Sequence, residues 1–122
     1  MLNLDTHILV FALTGALRHS ERRLLSENSW SISAIVLWEL AKLAQLGRLS
    51  LDLDDTELSR TLSRLHVWPL DLAVARVSTR LDFAGDPADE LIAATSVVHR
   101  LPLLTRDRAM LASEIVPLAA GG

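Results

Sequence analysis

Short apolar segments alternate with helical segments along this chain, and the alternation limits the folds that the chain can adopt. Strands separated by helices form parallel sheets with helices packed on both faces. The pattern therefore predicts a three-layer α/β/α domain with a four- or five-stranded parallel sheet. The predicted strands are Leu2–Leu4, Trp30–Ser33, residues 66–70, residues 101–107 and a candidate fifth at 115–119. The predicted helices are residues 6–25, 34–47, 54–65, 72–81 and Pro87–His99.

The length and composition are those of one folded domain. We assign residues 1–120 to this domain and residues 121–122 to a short glycine tail. The chain has no cysteine, which excludes disulfides, thiolate metal sites and a cysteine nucleophile. The N-terminus lacks the basic region of a signal peptide, and uncharged runs such as Asn28–Trp38 are shorter than the roughly 20 residues that span a bilayer. We therefore expect a soluble, cytoplasmic protein without a membrane partner.

The charge balance leaves the question of nucleic-acid binding open. A net charge of −3 provides no overall basic field. The basic residues, however, are eleven arginines and the single lysine Lys42. Arginine suits bidentate phosphate contacts, but solvated helix faces and a coding bias towards arginine explain the same numbers equally well. Two local clusters of arginine are candidates for phosphate contacts, namely Arg18, Arg22 and Arg23, and Arg106 with Arg108.

Three acidic residues are predicted at strand or helix ends, and a fourth lies within a predicted helix. Asp5 and Asp107 each close an apolar strand, Glu39 interrupts an apolar helical run, and Asp89 lies in the first turn of a long helix. Ligands of parallel α/β sheets bind beyond the carboxyl ends of the strands, so these carboxylates are candidates for one site. Carboxylates that converge need a counter-charge, and Mg²⁺ or Mn²⁺ supplies it through oxygen ligands. Such a site can hydrolyse phosphodiester bonds.

The segment "GDPADELIAATS" at residues 85–96 has a simpler local interpretation. Asp86 followed by Pro87 is typical of an N-cap and the first helical residue. Asp89 then lies at the capping-box position, and Glu90 adds a negative charge where the helix dipole favours it. Helix capping thus accounts for all three acids without a metal ion. For Glu39, likewise, the alternative is a position on the exposed face of its helix.

The chain resembles the PIN-domain family, and more narrowly the VapC-type ribonuclease toxins of VapBC toxin–antitoxin pairs. The resemblance rests on four segments in the order and at about the spacing of the family, which are "LDTHIL", "SAIVLWELAKLAQLGRLSL", "GDPADELIAATS" and "LPLLTRD". It implies that Asp5, Glu39, Asp89 and Asp107 are the catalytic acids and metal ligands. Thr6 and Thr105 match hydroxyl positions that support those acids, and Asp86 is a supporting residue. Glu90 departs from the family pattern, in which an arginine often follows the third acid.

The resemblance also implies an activity and partners. We expect a Mg²⁺- or Mn²⁺-dependent endoribonuclease that acts on RNA, with tRNA and other structured RNAs as candidate substrates. A VapB-type antitoxin is the implied partner. Because the chain is negatively charged, a homodimer that joins basic surfaces is expected as well.

Two other functions remain alternatives. One is a catalytically impaired PIN-like binding module, which Glu90 keeps open. The other is a phospho-receiver-like signalling domain, although Lys42 lies at the wrong place for it. The four histidines show no shared ligand spacing and are interpreted as structural or surface residues, with His7 as a candidate substrate contact. For Trp30, Trp38 and Trp68 we expect packing in the core or in an interface rather than base stacking.

Overall fold

The computed structural model describes residues 1–119, so Ala120 and the predicted tail at 121–122 lie outside the described residues. Within this range the strands are β1 (Leu2–Leu4), β2 (Trp30–Ser33), β3 (His66–Trp68) and β4 (Leu103–Leu104). The helices are α1 (Thr6–Thr14), α2 (His19–Glu27), α3 (Ala34–Gln45), α4 (Thr56–Ser63), α5 (Leu72–Ser78), α6 (Pro87–His99) and α7 (Arg108–Leu111).

The strands form one parallel sheet in the order β3-β2-β1-β4, flanked by the helices. This confirms the predicted α/β fold class with four strands. The candidate fifth strand reduces to an isolated parallel bridge between Leu103 and Leu118 in the described residues. Because β2, β1 and β4 are neighbours and run in one direction, their carboxyl ends open on the same edge of the sheet.

The helix starts follow the local signals in the sequence. Asp5, Ser33 and Asp86 each accept a hydrogen bond from a backbone N–H of the helix that they begin. The predicted helix Pro87–His99 is confirmed at both ends, and Gly47 follows α3 with a φ of 70°. The prediction of a single helix over residues 6–25 is wrong. Residues 6–25 form two helices rather than one, because Gly15 adopts a φ of 75° and ends α1.

The fourth predicted strand is longer in the sequence pattern than in the structure. β4 comprises only Leu103–Leu104, and Asp107 is the N-cap of α7 rather than a strand end. The apolar run "LPLL" predicts the strand. Beyond it, the Asp107 N–H donates to Thr105 Oγ1 and the Met110 N–H donates to the Asp107 carboxylate, so these residues begin α7 instead of extending β4. α4 and α5 also end a few residues earlier than predicted.

The core lies between the sheet and helices α1, α3 and α6. Its fully buried side chains include Leu4, Ile32, Val36 and Ile92. A buried polar link crosses it, since Asn3 Nδ2 donates to the Ile92 carbonyl at 3.1 Å and to Ser96 Oγ at 2.9 Å. This link connects β1, which Asp5 directly follows, to α6, which contains Asp89.

Two sequence expectations about exposure have different outcomes. Trp38 does not pack in the core of this chain, because it is 55% exposed on α3, and packing in an interface stays a prediction. Trp68 is partly buried and stacks on His99 with ring centroids 3.9 Å apart, as a structural role for that histidine predicts.

None of the helices described between residues 1 and 119 has the length and apolar character that a membrane span requires.

The left-handed conformation at Gly15 leads to a stability prediction. Gly15→Ala is expected to lower the free energy of unfolding by about 1 kcal/mol, because a Cβ disfavours positive φ. Gly15→Asn is the matched control and should cost less, since asparagine tolerates this conformation. Urea denaturation of the three proteins measures the difference. An alanine variant as stable as the wild type would contradict the assigned helix end.

Candidate metal-dependent nuclease site

Asp5 is the most deeply buried of the four predicted acids. It directly follows β1, N-caps α1 and is only 3% exposed. Its Oδ1 accepts from the Thr6 N–H at 2.8 Å, and its Oδ2 accepts from Thr105 Oγ1 at 2.7 Å. Burial raises the pKa of Asp5 although both hydrogen bonds favour the ionised form. The carboxylate is therefore fixed in position by neutral donors.

Glu39 is connected to Asp5 through Thr6. The Thr6 hydroxyl donates to Glu39 Oε1, and the glutamate side chain is half-buried on α3. Burial raises the pKa of Glu39, and the negative charges of Asp86 and Asp5 raise it further. The alternative that Glu39 lies on the exposed face of its helix is thus wrong.

The first turn of α6 brings Asp89 to the same place. Asp86 accepts from the Asp89 N–H at 3.0 Å, which confirms the predicted N-cap. Partial burial raises the pKa of Asp89 to about 7, and the negative charges of four other acids contribute to this shift. Those acids are Asp86, Asp5, Asp107 and Glu39. The other three predicted site acids and Asp86 therefore lie close enough for their charges to influence Asp89.

Thr105 couples Asp5 to Asp107. Its hydroxyl donates to Asp5 and accepts from the Asp107 N–H at 3.0 Å. The Asp107 carboxylate in turn accepts from the Met110 N–H at 3.0 Å and begins α7. Both supporting threonines predicted from the sequence, Thr6 and Thr105, are thus in contact with site acids.

Arg106, one of the arginines considered for phosphate contacts, forms an ion pair instead. Its Nε and Nη2 donate to the two carboxylate oxygens of Glu21 at 2.7 and 2.6 Å, and its guanidinium lies 4.0 Å from the centroid of the Phe11 ring. Glu21 is fully buried, and the hydrogen bonds from Arg106 lower its pKa. The pair holds the segment before Asp107 against α2.

Three residues near the site were missed by the sequence reasoning. Glu21 lies in the polar segment "RHSERR", where nothing indicates that its side chain is buried. Phe11 packs under Arg106 and lines the site. Gly85 lies beside Asp89, and a Cβ at position 85 would be 3.2 Å from the Asp89 Cβ. A glycine directly before an N-cap aspartate was the one available signal of such a close approach.

Two clefts border the acids. The larger has a volume of about 480 Å³ and is lined by Ile35, Trp38, Glu39, Asp86, Pro87 and Ala88. The smaller, of about 270 Å³, is lined by Asp5, His7, Phe11, Arg106 and Asp107. Both clefts therefore combine acidic side chains with aromatic ones, and the smaller cleft also includes His7 and Arg106.

The donor set fits a hard divalent cation. In residues 1–119 none of these five acids forms an ion pair with arginine or lysine, and burial, with a smaller contribution from neighbouring acids, raises the pKa values of Asp5, Glu39 and Asp89. Within the same range, however, no three acidic or histidine side chains already converge as a group that could hold an ion. Mg²⁺ usually binds through one or two carboxylates and keeps several waters, which is compatible with this arrangement.

The buried ion pair leads to a stability prediction. Arg106→Met is expected to lower the free energy of unfolding by about 3 kcal/mol, because it leaves the buried Glu21 carboxylate without a counter-charge. Arg23→Met is the matched control. It breaks the exposed Arg23–Glu27 pair, whose N and O atoms are 3.5 Å apart, and should cost below about 0.5 kcal/mol. Equal losses in urea unfolding would show that the Arg106 pair is not structural.

The raised pKa of Asp89 leads to a pH prediction for the metal-free protein. Between the unfolded pKa of roughly 4 and the folded pKa of about 7, the folded state binds the extra proton, so this group stabilises the fold less as pH rises. Asp89→Asn removes the effect. Relative to wild type, the variant should gain about 1 kcal/mol between pH 5 and pH 8, a value reduced for the partial exposure of the carboxylate.

Thermal unfolding in the presence of a chelator measures this difference. Asp55→Asn serves as the control, since it exchanges one N-cap residue for another at the start of α4. A wild type and an Asp89→Asn variant with parallel pH profiles would contradict the raised pKa.

Comparisons with known proteins identify the family. The PIN domain family model matches residues 3–113. Ribonuclease VapC22 of Mycobacterium tuberculosis (strain ATCC 25618 / H37Rv) is 29% identical over 119 residues, covering 86% of this chain and 85% of that protein. A toxin–antitoxin complex from Klebsiella pneumoniae contains a chain with a TM-score of 0.73 at 20% identity, covering 100% of this chain and 98% of that chain. The structure of VapBC2 from Rickettsia felis bound to a promoter DNA fragment contains a chain with a TM-score of 0.71 at 22% identity, covering 98% of both chains. The family model spans β1 to α7 and all four acids, so this chain belongs to the PIN domain family.

Proposed function

We propose that this chain is a metal-dependent endoribonuclease that hydrolyses phosphodiester bonds in RNA. One observation carries the proposal: at one edge of the sheet, Thr6 links Asp5 to Glu39 and Thr105 links Asp5 to Asp107. Similarity to a protein named as a ribonuclease supports RNA as the substrate. The family assignment also rules out the receiver-like alternative.

Asp5, Glu39, Asp89 and Asp107 are the residues that would hold Mg²⁺ or Mn²⁺. When bound, the ion supplies an activated water and offsets the charge that develops on the scissile phosphate. PIN-domain ribonucleases depend on divalent metals in general, and the all-oxygen donor set here favours a hard ion of this kind.

The surrounding residues orient the acids without neutralising them. Thr105 and the Thr6 N–H hold both oxygens of Asp5, while the Thr6 hydroxyl holds Glu39. Arg106 is directed to Glu21 and therefore leaves the negative charge of Asp107 available. Asp86 supports the site through the Asp89 backbone. Nothing in the structure assigns a role to Glu90.

We further propose that the chain is the toxin of a type II toxin–antitoxin pair and acts in the cytoplasm. Its similarity to chains from toxin–antitoxin complexes supports a VapB-type antitoxin as partner. Structured RNA, including tRNA, is the proposed substrate class. A homodimer would bring the exposed arginines of two copies to one RNA. These local positive charges would offset the net charge of −3, which by itself repels RNA.

Substitution of the site acids tests the activity. Asp5→Asn and Asp89→Asn are each expected to reduce Mg²⁺- or Mn²⁺-dependent cleavage of total RNA at least about a hundredfold, because each removes a charged ligand of the ion. Cleavage is followed by gel electrophoresis, and circular dichroism shows that each variant is folded. Cleavage that persists in a chelator, or unchanged rates in both variants, would overturn the proposal.

Asp86 provides the matched control for these substitutions. Asp86→Asn keeps an N-cap side chain and should retain most of the activity and stability. Asp86→Ala should lose about 1 kcal/mol of stability through the missing cap. If Asp86→Asn is as inactive as Asp89→Asn, Asp86 is itself a ligand. A folded wild type without any activity would favour the catalytically impaired binding module instead.

A further inference from the structure

Trp38 has its ring in solvent directly beside the acidic site. It precedes Glu39 on α3 and is 55% exposed, whereas Val36 and Leu40 on the same helix are fully buried. The exposed indole lines a cleft together with the apolar side chains of Ile35, Pro87 and Ala88, and clefts of this kind are where proteins bind ligands. The position next to a site acid suggests that the ligand of this cleft is the substrate.

The cleft at Trp38 reaches the acid group. Glu39 and Asp86 line it together with Trp38, and Glu39 is linked to Asp5 through the Thr6 hydroxyl. An RNA strand with one phosphate at the acids has nucleotides on both sides of that phosphate. Those nucleotides must leave through the clefts that border the acids, and the Trp38 cleft is the larger of the two.

The charges around Trp38 fit a nucleotide. Lys42 lies one helical turn further, with its Nζ 5.8 Å from the centroid of the Trp38 ring and 3.0 Å from Gln45 Oε1. Lys42 therefore places one cation beside the exposed ring. A base can stack on the neutral indole, and the ammonium can contact the backbone phosphate. A purely apolar partner would not use the ammonium.

We propose that Trp38 and Lys42 form a nucleotide subsite for the RNA substrate. Trp38 stacks on a base next to the scissile phosphate, and Lys42 contacts the adjoining backbone. This inference rests on the proposed ribonuclease function and adds a specificity-determining contact to it.

Steady-state kinetics on an RNA oligonucleotide that the wild type cleaves, chosen by mapping new 5′ ends, test the subsite. Trp38→Ala is expected to raise KM about tenfold while kcat stays within about twofold, because base stacking contributes mainly to binding. Trp38→Phe should restore most of the affinity. Trp30→Phe, at the amino end of β2 and away from both clefts, should change neither constant.

Oligonucleotides with a single abasic position make the test specific. One abasic position should weaken wild-type binding about tenfold and leave Trp38→Ala unaffected. Lys42→Gln should reduce the salt dependence of RNA binding, lowering the log–log slope by about 0.7 as expected for one phosphate contact on a single strand.

The outcomes separate the two proposals. Cleavage by the wild type with unchanged KM in Trp38→Ala, and no difference on the abasic series, would overturn the subsite alone. A Trp38→Ala variant that sediments as a monomer while the wild type is a dimer would show that a second copy covers the ring, which also overturns it. Failure of the folded wild type to cleave any RNA would overturn the ribonuclease proposal and the subsite with it.

Discussion

The burial of carboxylates beside one another at one edge of the sheet is the constraint on which the site depends. Asp5, Glu39 and Asp89 all have raised pKa values, and in each case burial is the first cause and neighbouring acids contribute. Threonine hydroxyls and a backbone N–H hold Asp5 and Glu39, and the Asp89 N–H donates to Asp86, whereas none of these acids forms an ion pair in residues 1–119. Neutral donors fix the oxygens and leave their charge for a cation.

The use of arginine follows from the same constraint. Arg106 is adjacent to Asp107 in the chain, yet its guanidinium makes a bidentate contact with Glu21. An ion pair between Arg106 and Asp107 would neutralise a negative charge of the site. The pair with Glu21 on α2 instead fixes the segment before Asp107 and leaves the charge of the site acids unchanged. Because Glu21 is buried, breaking this pair would strongly destabilise the fold, so the pair has a structural role.

The sequence predicts those parts of the fold and site that local physics determines. The alternating pattern predicts the parallel sheet, and the Asp86–Pro87 pair predicts the start of α6 to the residue. Gly15 was a helix-ending signal that the apolar periodicity around it concealed. Contacts between segments that are distant in the chain could not be predicted from local patterns. The Glu21–Arg106 pair joins residues 85 positions apart, and the exposure of Trp38 depends on which elements fail to cover α3.

The start of α6 shows that capping and site formation are parts of one arrangement. The Asp86 carboxylate binds the backbone N–H of Asp89, so the N-cap fixes the residue that carries the site carboxylate. In the described residues the Asp89 carboxylate does not return a bond to the Asp86 N–H, and only half of a capping box forms. The unused half is what leaves Asp89 free to interact with Asp5, Glu39 and Asp107. Gly85 completes the arrangement, because a side chain there would press on Asp89 from the preceding residue.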